Sequence, residues 1–496
     1  MNVTLINPSL VSQRNDFLGS GIPYMPHGLA YLAAVLAERG WTVTVIDAFG
    51  VAPMRARSDE RFVIQGLLPS EVCGMLARNC DAVAIYGGSV MAGTWIEEML
   101  RVLKTRMRSL PALVFENTQA VTGFSLEHVL TRFFEAGADY VVTGEAETRV
   151  PLVLELLVGG TSKMPDGIWW HEGEKLVGST ATTFIEELDR LPYPAWHLLP
   201  LENYWKLGYA HGPLSTNRYL AQLTSRGCPF NCRFCVVPTT NRRRWRARSA
   251  ESVVDEMQYM KCTYGVSEFH WEDLNSTTCE ARILEICDRL LAKKMNVIWK
   301  LVSGTKIEAV KERTVDAMAE AGCRYISFSP ESGSPKVLEL MGKPFNHDYA
   351  AALTRHMRRR NIYTQACFVI GFPGETDSDL HLTEIYIKRL MRSGVDEVAV
   401  FIMAPMPGSA VFGQFSGYAD MAQLTFSPAW RSDYERLARW RAHLYNTFIY
   451  GKLIWHGISC VKQGMRFMAR RFETKMEMTP YRMLRVKHWL RTSPNE

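Results

Sequence analysis

The chain has 496 residues, 47% of them hydrophobic and 22% charged, so it is long enough for two or three domains that each bury a core. Its start, MNVTLINPSLV, lacks the features of a signal peptide, and no apolar stretch is long enough for a membrane span. We therefore expect a cytoplasmic protein whose 11 cysteines are thiols or metal ligands rather than disulfides. The net charge of +6 is uneven, because residues 430–496 contain 14 Lys or Arg and only 5 Asp or Glu.

The first 160 residues alternate short apolar runs with helical patterns. Strands are predicted at 3–8, 41–48, 81–88, 111–117 and 138–145, and helices at 28–40 and 94–106. Buried runs separated by helices predict an α/β unit with a doubly wound parallel sheet, which binds ligands at the carboxyl ends of its strands. The residues at those ends, which are either ligand contacts or simple turn residues, are Asn7, Pro8, Ser9, Gly87, Gly88, Ser89, Glu116, Asn117, Gly144 and Glu145.

Residues 161–214 are expected to be a connector, because LDRLPYPAWHLLPLENY has prolines and aromatics but no sustained helical or strand period. A second alternation of strands and helices occupies residues 215–405. Its strands are predicted at 218–227, 267–272, 297–302, 324–330, 364–371 and 396–403, and Ser249 is expected to cap a helix over 249–262. Six such units predict an open, partial (β/α)6 barrel with its active face at the carboxyl ends of the strands. Residues 406–496 have a helical pattern and form a third, basic unit.

The strongest chemical signal is GCPFNCRFC at residues 227–235, on a loop directly after a predicted strand. Cys228, Cys232 and Cys235 could hold three irons of a 4Fe-4S cube and leave the fourth iron free to chelate a small molecule. A structural zinc site or plain loop cysteines are the alternatives. Zinc usually takes four protein ligands, and no fourth Cys or His lies nearby in the sequence, so the pattern favours the cluster.

This spacing, directly after the first barrel strand, resembles the radical S-adenosylmethionine superfamily. The resemblance implies that the open iron binds S-adenosylmethionine, whose reduction gives a 5′-deoxyadenosyl radical. Further segments fit the same family, among them FHWEDLN (269–275), SPESGSPKVLELMGK (329–343), FVIGFPGET (368–376) and APMPGSAVF (404–412). The positions that match the family's S-adenosylmethionine contacts are Phe234, Glu272, Glu331, Gly371 and Glu375.

The first unit resembles the Rossmann-like cobalamin-binding domain that precedes this barrel in one branch of the superfamily. The matching segments are NPS near the start, PHGLAYLAAVLAERG, VTVID and GEAE, the last adding Glu147 to the strand-end residues. Two departures stand out. No DxHxxG motif is present, which implies that no protein histidine binds the cobalt, and the loop that usually reads GGxH is FENTQAVTGF (115–124). The second departure implies either a different contact to cobalamin or a domain that has lost the cofactor.

The resemblance implies a radical methyltransferase that acts on an unactivated carbon of a natural product, a lipid or another complex small molecule. Cobalamin would donate the methyl group, and a flavodoxin or ferredoxin would supply electrons. A cobalamin-dependent ring-forming or rearranging enzyme is the first alternative. A non-catalytic cobalamin-binding or iron–sulfur electron-transfer protein is the second, although such a protein would not need the S-adenosylmethionine segments.

Two basic segments suggest partners. NRRRWRAR (241–248) is either a solvated approach to the next helix or a cradle for an anion. The tail, residues 430–496, combines its positive charge with aromatics and is either a helical cap over the barrel or a peripheral contact with an anionic membrane. No nucleic-acid partner is expected, because no binding module is recognisable.

Overall fold

The computed structural model describes residues 1–14, 16, 20–116, 118–119, 122–160 and 164–492. In chain order, the strands are β1 (Asn2–Asn7), β2 (Leu10–Gln13), β3 (Thr42–Asp47), β4 (Ala56–Ser58), β5 (Phe62–Gln65), β6 (Ala82–Gly87), β7 (Ala112–Glu116), β8 (Tyr140–Val142), β9 (Ile168–Glu172), β10 (Lys175–Gly178), β11 (Tyr219–Gln222), β12 (Ser225–Arg226), β13 (Arg246–Ala247), β14 (Glu268–Trp271), β15 (Ile298–Thr305), β16 (Cys323–Glu331), β17 (Tyr363–Ile370) and β18 (Glu397–Ile402).

The helices are α1 (His27–Glu38), α2 (Ala48–Val51), α3 (Pro69–Gly74), α4 (Gly93–Arg106), α5 (Leu130–Ala136), α6 (Ala146–Leu157), α7 (Leu201–Leu207), α8 (Val237–Thr240), α9 (Ala250–Tyr264), α10 (Glu280–Ala292), α11 (Glu312–Glu320), α12 (Pro335–Met341), α13 (His347–Arg359), α14 (Asp377–Ser393), α15 (Tyr434–Ala469) and α16 (Lys475–Thr492).

The first sheet has the order β10-β9-β8-β7-β6-β1-β3, and its five strands from β8 to β3 are parallel. Alternate residues of β6 enter two separate cores: Ala84 packs with the α1 side, and Ile85 packs with the α4 side. Because both faces are covered, the strands are nearly continuous apolar runs, and this is why the sequence predicts them well. The expected doubly wound α/β fold is confirmed.

Two small β structures in this region were not predicted. Strands β9 and β10, within the expected connector, form an antiparallel hairpin that extends the first sheet beyond β8. Strands β2, β5 and β4 form a separate antiparallel sheet. All five strands have three to five residues, which is too short for a clear period in the sequence.

The second sheet follows the chain, in the order β11-β14-β15-β16-β17-β18, and all of its pairings are parallel. Its two end strands are not paired with each other among the described residues, so the barrel is open as predicted. The Ser249 hydroxyl accepts a hydrogen bond from the Ser252 amide at 3.1 Å, which confirms the predicted cap of α9.

The third unit is helical only from Tyr434 onward. Residues 406–433, predicted as helical, contain only two single helical turns, because prolines and glycines interrupt the segment. Helix α15 packs along α14 and β18 and is kinked at His456, and α16 folds back against α15. None of the helices in the described ranges is both long and apolar enough to cross a bilayer.

Candidate active site

A cavity of about 830 Å³ lies between the first sheet, the barrel and the two C-terminal helices. The carboxyl ends of β1 and β6 contribute to its wall from one side, and the loop after β12 contributes from the other. Helix α16 completes the wall. The candidate ligand positions of two domains and the basic tail therefore meet at one cavity.

The three motif cysteines line this cavity together. Their loop begins at Gly227, whose φ of 78° is in the left-handed region, and a Cβ there would lie 1.9 Å from the Arg244 carbonyl oxygen. The Cys235 amide donates to the Cys232 carbonyl at 3.1 Å, and the Val237 amide donates to the Cys235 Sγ at 3.4 Å. Only glycine fits the entry to this loop, which explains its position directly before the cysteines.

The donor set fits an iron–sulfur cluster better than zinc. Burial raises the pKa of all three thiols, that of Cys235 to about 12, so they need a strongly bound cation to become thiolates. In the described part of the chain, no group of three or more His, Cys, Asp or Glu side chains is arranged to hold a metal ion. A 4Fe-4S cube with one open iron takes three protein thiolates, whereas a structural zinc usually takes four protein ligands.

Glu331 and Phe234, both predicted as S-adenosylmethionine contacts, line the cavity beside the cysteines. Glu331 ends β16 with a φ of 63°, an uncommon conformation for a residue with a side chain. Its carboxylate pairs with the Lys343 ammonium at 2.5 Å, and this ammonium lies 6.0 Å from the centre of the Phe234 ring. Sequence reasoning missed Lys343, although it ends the segment that carries Glu331.

Glu272 does not line the cavity. Its carboxylate accepts a hydrogen bond from His211 Nδ1 at 2.6 Å, and both side chains are buried. Burial alone would raise the pKa of Glu272, but His211, together with His27 and His270, outweighs burial and lowers the pKa. His211 itself lines the cavity and packs against Tyr24, with the rings tilted by 36° and their centres 4.4 Å apart. Glu272 therefore orients a cavity histidine that carried no signal in the sequence.

Gly371 and Glu375 stand behind the cavity wall rather than in it. The Gly371 amide donates to Glu375 Oε2, which closes the turn after β17. The other oxygen, Oε1, is buried and has no hydrogen-bond partner among the described residues, and burial raises the pKa of this carboxyl to about 7. Val369, two residues before Gly371, is the cavity-lining residue of this strand end.

On the side of the first sheet, five of the predicted strand-end residues line the cavity: Asn7, Pro8, Ser9, Gly88 and Ser89. The Asn7 amide donates to Asp47 Oδ1 at 2.7 Å, and the Ser9 hydroxyl donates to the Leu67 carbonyl at 2.6 Å. These bonds fix the turn after β1 and leave its edge facing the cavity.

Gly87, Glu116 and Gly144 lie behind this edge, and Asn117 lies outside the described residues. The Glu116 carboxylate accepts hydrogen bonds from the Leu126 amide at 2.9 Å and the Gly144 amide at 2.7 Å, so it holds two loops together. Burial raises its pKa to about 7.

Glu145 and Glu147 join the two domains. Arg226, on the last strand before the cysteine loop, donates to Glu145 at 3.1 Å and to Glu147 at 2.7 Å. Arg246 donates to the two oxygens of Glu145 at 2.9 and 3.0 Å. The acidic motif thereby fixes the first sheet to the base of the cysteine loop, and neither carboxylate lines the cavity.

Three of the five arginines in the basic run after the cysteine loop pair with carboxylates of the protein. Arg244 pairs with Glu186 at 2.6 Å, Arg246 with Glu145, and Arg248 with Glu256. None of its arginines lines the cavity, so an anion cradle at this place has no support from the geometry.

The structure contains an open barrel of six parallel strands with three cysteines on the loop after its first strand. The sequence predicts this architecture for a radical enzyme that holds an iron–sulfur cluster. Residues 223–402 match the Radical SAM superfamily. This part of the chain is therefore a radical SAM domain, and the prediction of a radical SAM enzyme, with a 4Fe-4S cluster and S-adenosylmethionine as cofactors, is confirmed.

Several known proteins are similar over most of the chain. An uncharacterized methyltransferase of Pyrococcus horikoshii is 27% identical over 433 residues, which cover 87% of this chain and 86% of that protein. Cytidylyl-2-hydroxyethylphosphonate methyltransferase of Streptomyces wedmorensis is 28% identical over 447 residues, which cover 82% and 80%. The structure of the radical S-adenosylmethionine methyltransferase TsrM from Kitasatospora setae is similar in fold, with a TM-score of 0.63 and 16% identity over 83% of this chain and 75% of that one.

Proposed function

We propose that the protein is a cobalamin-dependent radical SAM enzyme that methylates an unactivated carbon of a small molecule. One observation carries the proposal: the cavity that the three cysteines line is also lined by the strand-end turns of the first sheet. The two most similar relatives described above are methyltransferases, and the fold is that of TsrM, whose structure has been determined with cobalamin and a 4Fe-4S cluster bound.

Different residues of the cavity wall would bind each of the three cofactors. When bound, the cluster and S-adenosylmethionine supply a hydrogen-abstracting radical, and cobalamin supplies the methyl group. Cys228, Cys232 and Cys235 would hold the cluster, and the Glu331–Lys343 pair beside them would orient S-adenosylmethionine. The turns at Asn7–Ser9 and Gly88–Ser89 would hold cobalamin at the opposite wall. The shared cavity keeps these groups away from bulk water.

Anaerobic reconstitution tests this function. We expect about four irons per chain. With S-adenosylmethionine and a substrate, 5′-deoxyadenosine and S-adenosylhomocysteine should form together. The triple variant with Cys228, Cys232 and Cys235 changed to Ala should lose both the iron and the cleavage of S-adenosylmethionine, whereas Cys262→Ala, an exposed cysteine, should keep both. Cleavage by the triple variant would refute the assignment, and 5′-deoxyadenosine without S-adenosylhomocysteine would favour the ring-forming alternative.

An electron donor and a membrane surface are proposed as partners. A flavodoxin or ferredoxin would reduce the cluster. The membrane proposal depends on the apolar ridge of α15, which consists of Tyr450, Ile454, Ile458, Val461, Met465 and Met468, all exposed. Helical spacing places Tyr450 and Ile454 on one side of the helix before the kink at His456, and the other four residues on one side after it. Leu437, Leu444 and Phe448 of the same helix are buried against the barrel.

Charge favours an anionic bilayer as the occupant of the apolar ridge. Between Arg436 and Phe472 the chain has eight Lys or Arg and no Asp or Glu, so a second copy would be repelled, while an anionic surface is attracted. The protein should sediment with phosphatidylglycerol vesicles at low salt and be released as salt rises. Changing Ile454, Ile458 and Met468 to Ser should abolish this, and Val158→Ser, an exposed apolar residue elsewhere, should not. Loss of a dimer instead would identify a second copy as the occupant.

A further inference from the structure

Helix α16 contributes one polar face to the cavity. Lys475, Thr479 and Arg482 lie at positions i, i+4 and i+7, and all three line the cavity wall. Arg482 donates to the Ser20 carbonyl at 3.0 Å and stands near Tyr24. A helix from the basic tail therefore places two cations in a cavity whose other walls are largely apolar.

The Lys475 ammonium has no carboxylate partner among the described residues. Its one hydrogen bond goes to the Val302 carbonyl at 3.3 Å. The nearby Glu397 is engaged elsewhere, because it accepts from the Tyr325 hydroxyl at 2.5 Å and from the Met476 amide at 2.6 Å. Burial lowers the pKa of Lys475, although the carboxylates of Glu397 and Glu272 act in the opposite direction.

Two other lysines pair with carboxylates, whereas Lys452, which is buried, donates to the Asp396 carbonyl oxygen. Lys343 pairs with Glu331 at 2.5 Å, and Lys300 pairs with Glu268 at 2.7 Å. An ammonium has three donors, and at Lys475 one of them is used within the protein. The remaining donors stand at the cavity wall, where an oxyanion would compensate the charge.

The position of Lys475 separates it from the cluster loop. Val302 lies in the middle of β15, and Glu397 is the first residue of β18, so Lys475 approaches the barrel below the carboxyl ends of its strands. The cysteine loop and the Glu331–Lys343 pair lie at those carboxyl ends. An anion at Lys475 is therefore distinct from the group that the open iron would bind.

We propose that Lys475 binds an anionic group of the substrate, a carboxylate, phosphate or phosphonate. This inference rests on the proposed function, and it defines the substrate class as a small amphiphilic anion. Apolar wall residues such as Val302, Phe401 and Met403 contact the body of the substrate, while its charged end lies at α16. The phosphate of cobalamin is the other possible source of such an anion, and the experiment distinguishes the two.

The test uses the reconstituted full-length protein and calorimetric titration with phenylacetate, benzylphosphonate and the neutral isostere phenylacetamide. The wild type should bind at least one of the two anions, and at least tenfold more tightly than the amide. Lys475→Met should weaken anion binding by about tenfold to a hundredfold, the usual effect of losing a hydrogen bond to a charged group. Arg491→Gln, an exposed position on the same helix, should change nothing. Equal binding of anions and amide, no binding, or full affinity in Lys475→Met would overturn the proposal.

The same samples distinguish a failure of the Lys475 proposal from a failure of the proposed function. Lys475→Met should keep the iron and the cobalamin of the wild type. A loss of cobalamin in this variant would overturn the substrate assignment in favour of the cofactor phosphate. If the wild type forms no 5′-deoxyadenosine, the proposed function fails, but the anion titration still reports on Lys475.

Discussion

The ion pairs at Glu145 provide a quantitative test of how the two domains are joined. Glu145→Ala leaves Arg246 without a carboxylate partner and Arg226 with Glu147 alone, and all of these side chains are buried. Removing one partner of a buried pair costs about 3–5 kcal/mol, because the remaining charge stays uncompensated. The matched control is Glu186→Ala, which removes the exposed partner of Arg244 and should cost less than about 1 kcal/mol.

Urea unfolding, followed by far-UV circular dichroism, measures both variants. Because the slope for a chain of this length exceeds the roughly 1–3 kcal/mol per M of small proteins, Glu145→Ala should lower the midpoint by about 1 M, while Glu186→Ala should remain close to the wild type. The difference should also depend on pH. Because the pKa of Glu145 is held below its ordinary value, its contribution is complete at neutral pH and is lost as the pH falls through the folded-state pKa. Equal midpoints for the two variants would refute this account of the domain junction.

Three further predictions concern the site. Burial raises the pKa of Glu375 to about 7, so ionising this carboxyl in the folded protein is unfavourable. The melting temperature of the wild type should therefore fall relative to that of Glu375→Gln as the pH rises from about 4.5 to 7. Parallel pH profiles of the two melting temperatures would contradict this. Gly227→Ala should reduce iron content, because its Cβ would overlap the Arg244 carbonyl, whereas Gly464→Ala, with free space in α15, should keep the iron. Because the DxHxxG motif is missing, bound Co(II) cobalamin should show no histidine nitrogen in electron paramagnetic resonance. The imidazole of His27 lines the cavity, and a nitrogen signal that disappears in His27→Phe would contradict this inference.

The sequence predicts those parts of the fold whose signals are local. Buried parallel strands are apolar on both faces, so β1, β6 and β17 are visible as runs, and the cap at Ser249 is visible from one residue. The cysteine loop is also local, since its three thiols lie within eight residues. These features required no knowledge of how distant segments pack.

Roles that depend on distant partners could not be predicted. Glu272 and His211 are 61 residues apart, and their contact needs the connector to fold over the second barrel strand. Glu145 matches a motif, but its ion-pair partner Arg246 is 101 residues away in the sequence, so this contact could not be predicted from the sequence. The motifs indicate positions of which some line the cavity and others lie behind its wall, and the side-chain partners of each residue separate these two groups.

Different segments of the chain contribute the residues for radical generation and the residue proposed to bind the substrate. The match to the superfamily ends at residue 402, and it contains the cysteines, Glu331 and Lys343. The cation proposed to bind the substrate lies at residue 475, on a helix that reaches the cavity only because α15 packs along α14 and turns the chain back. Radical generation thus belongs to the barrel, whereas recognition of the substrate's charge is assigned to the tail. Changes in α16 should therefore alter which molecule is methylated before they alter the cleavage of S-adenosylmethionine.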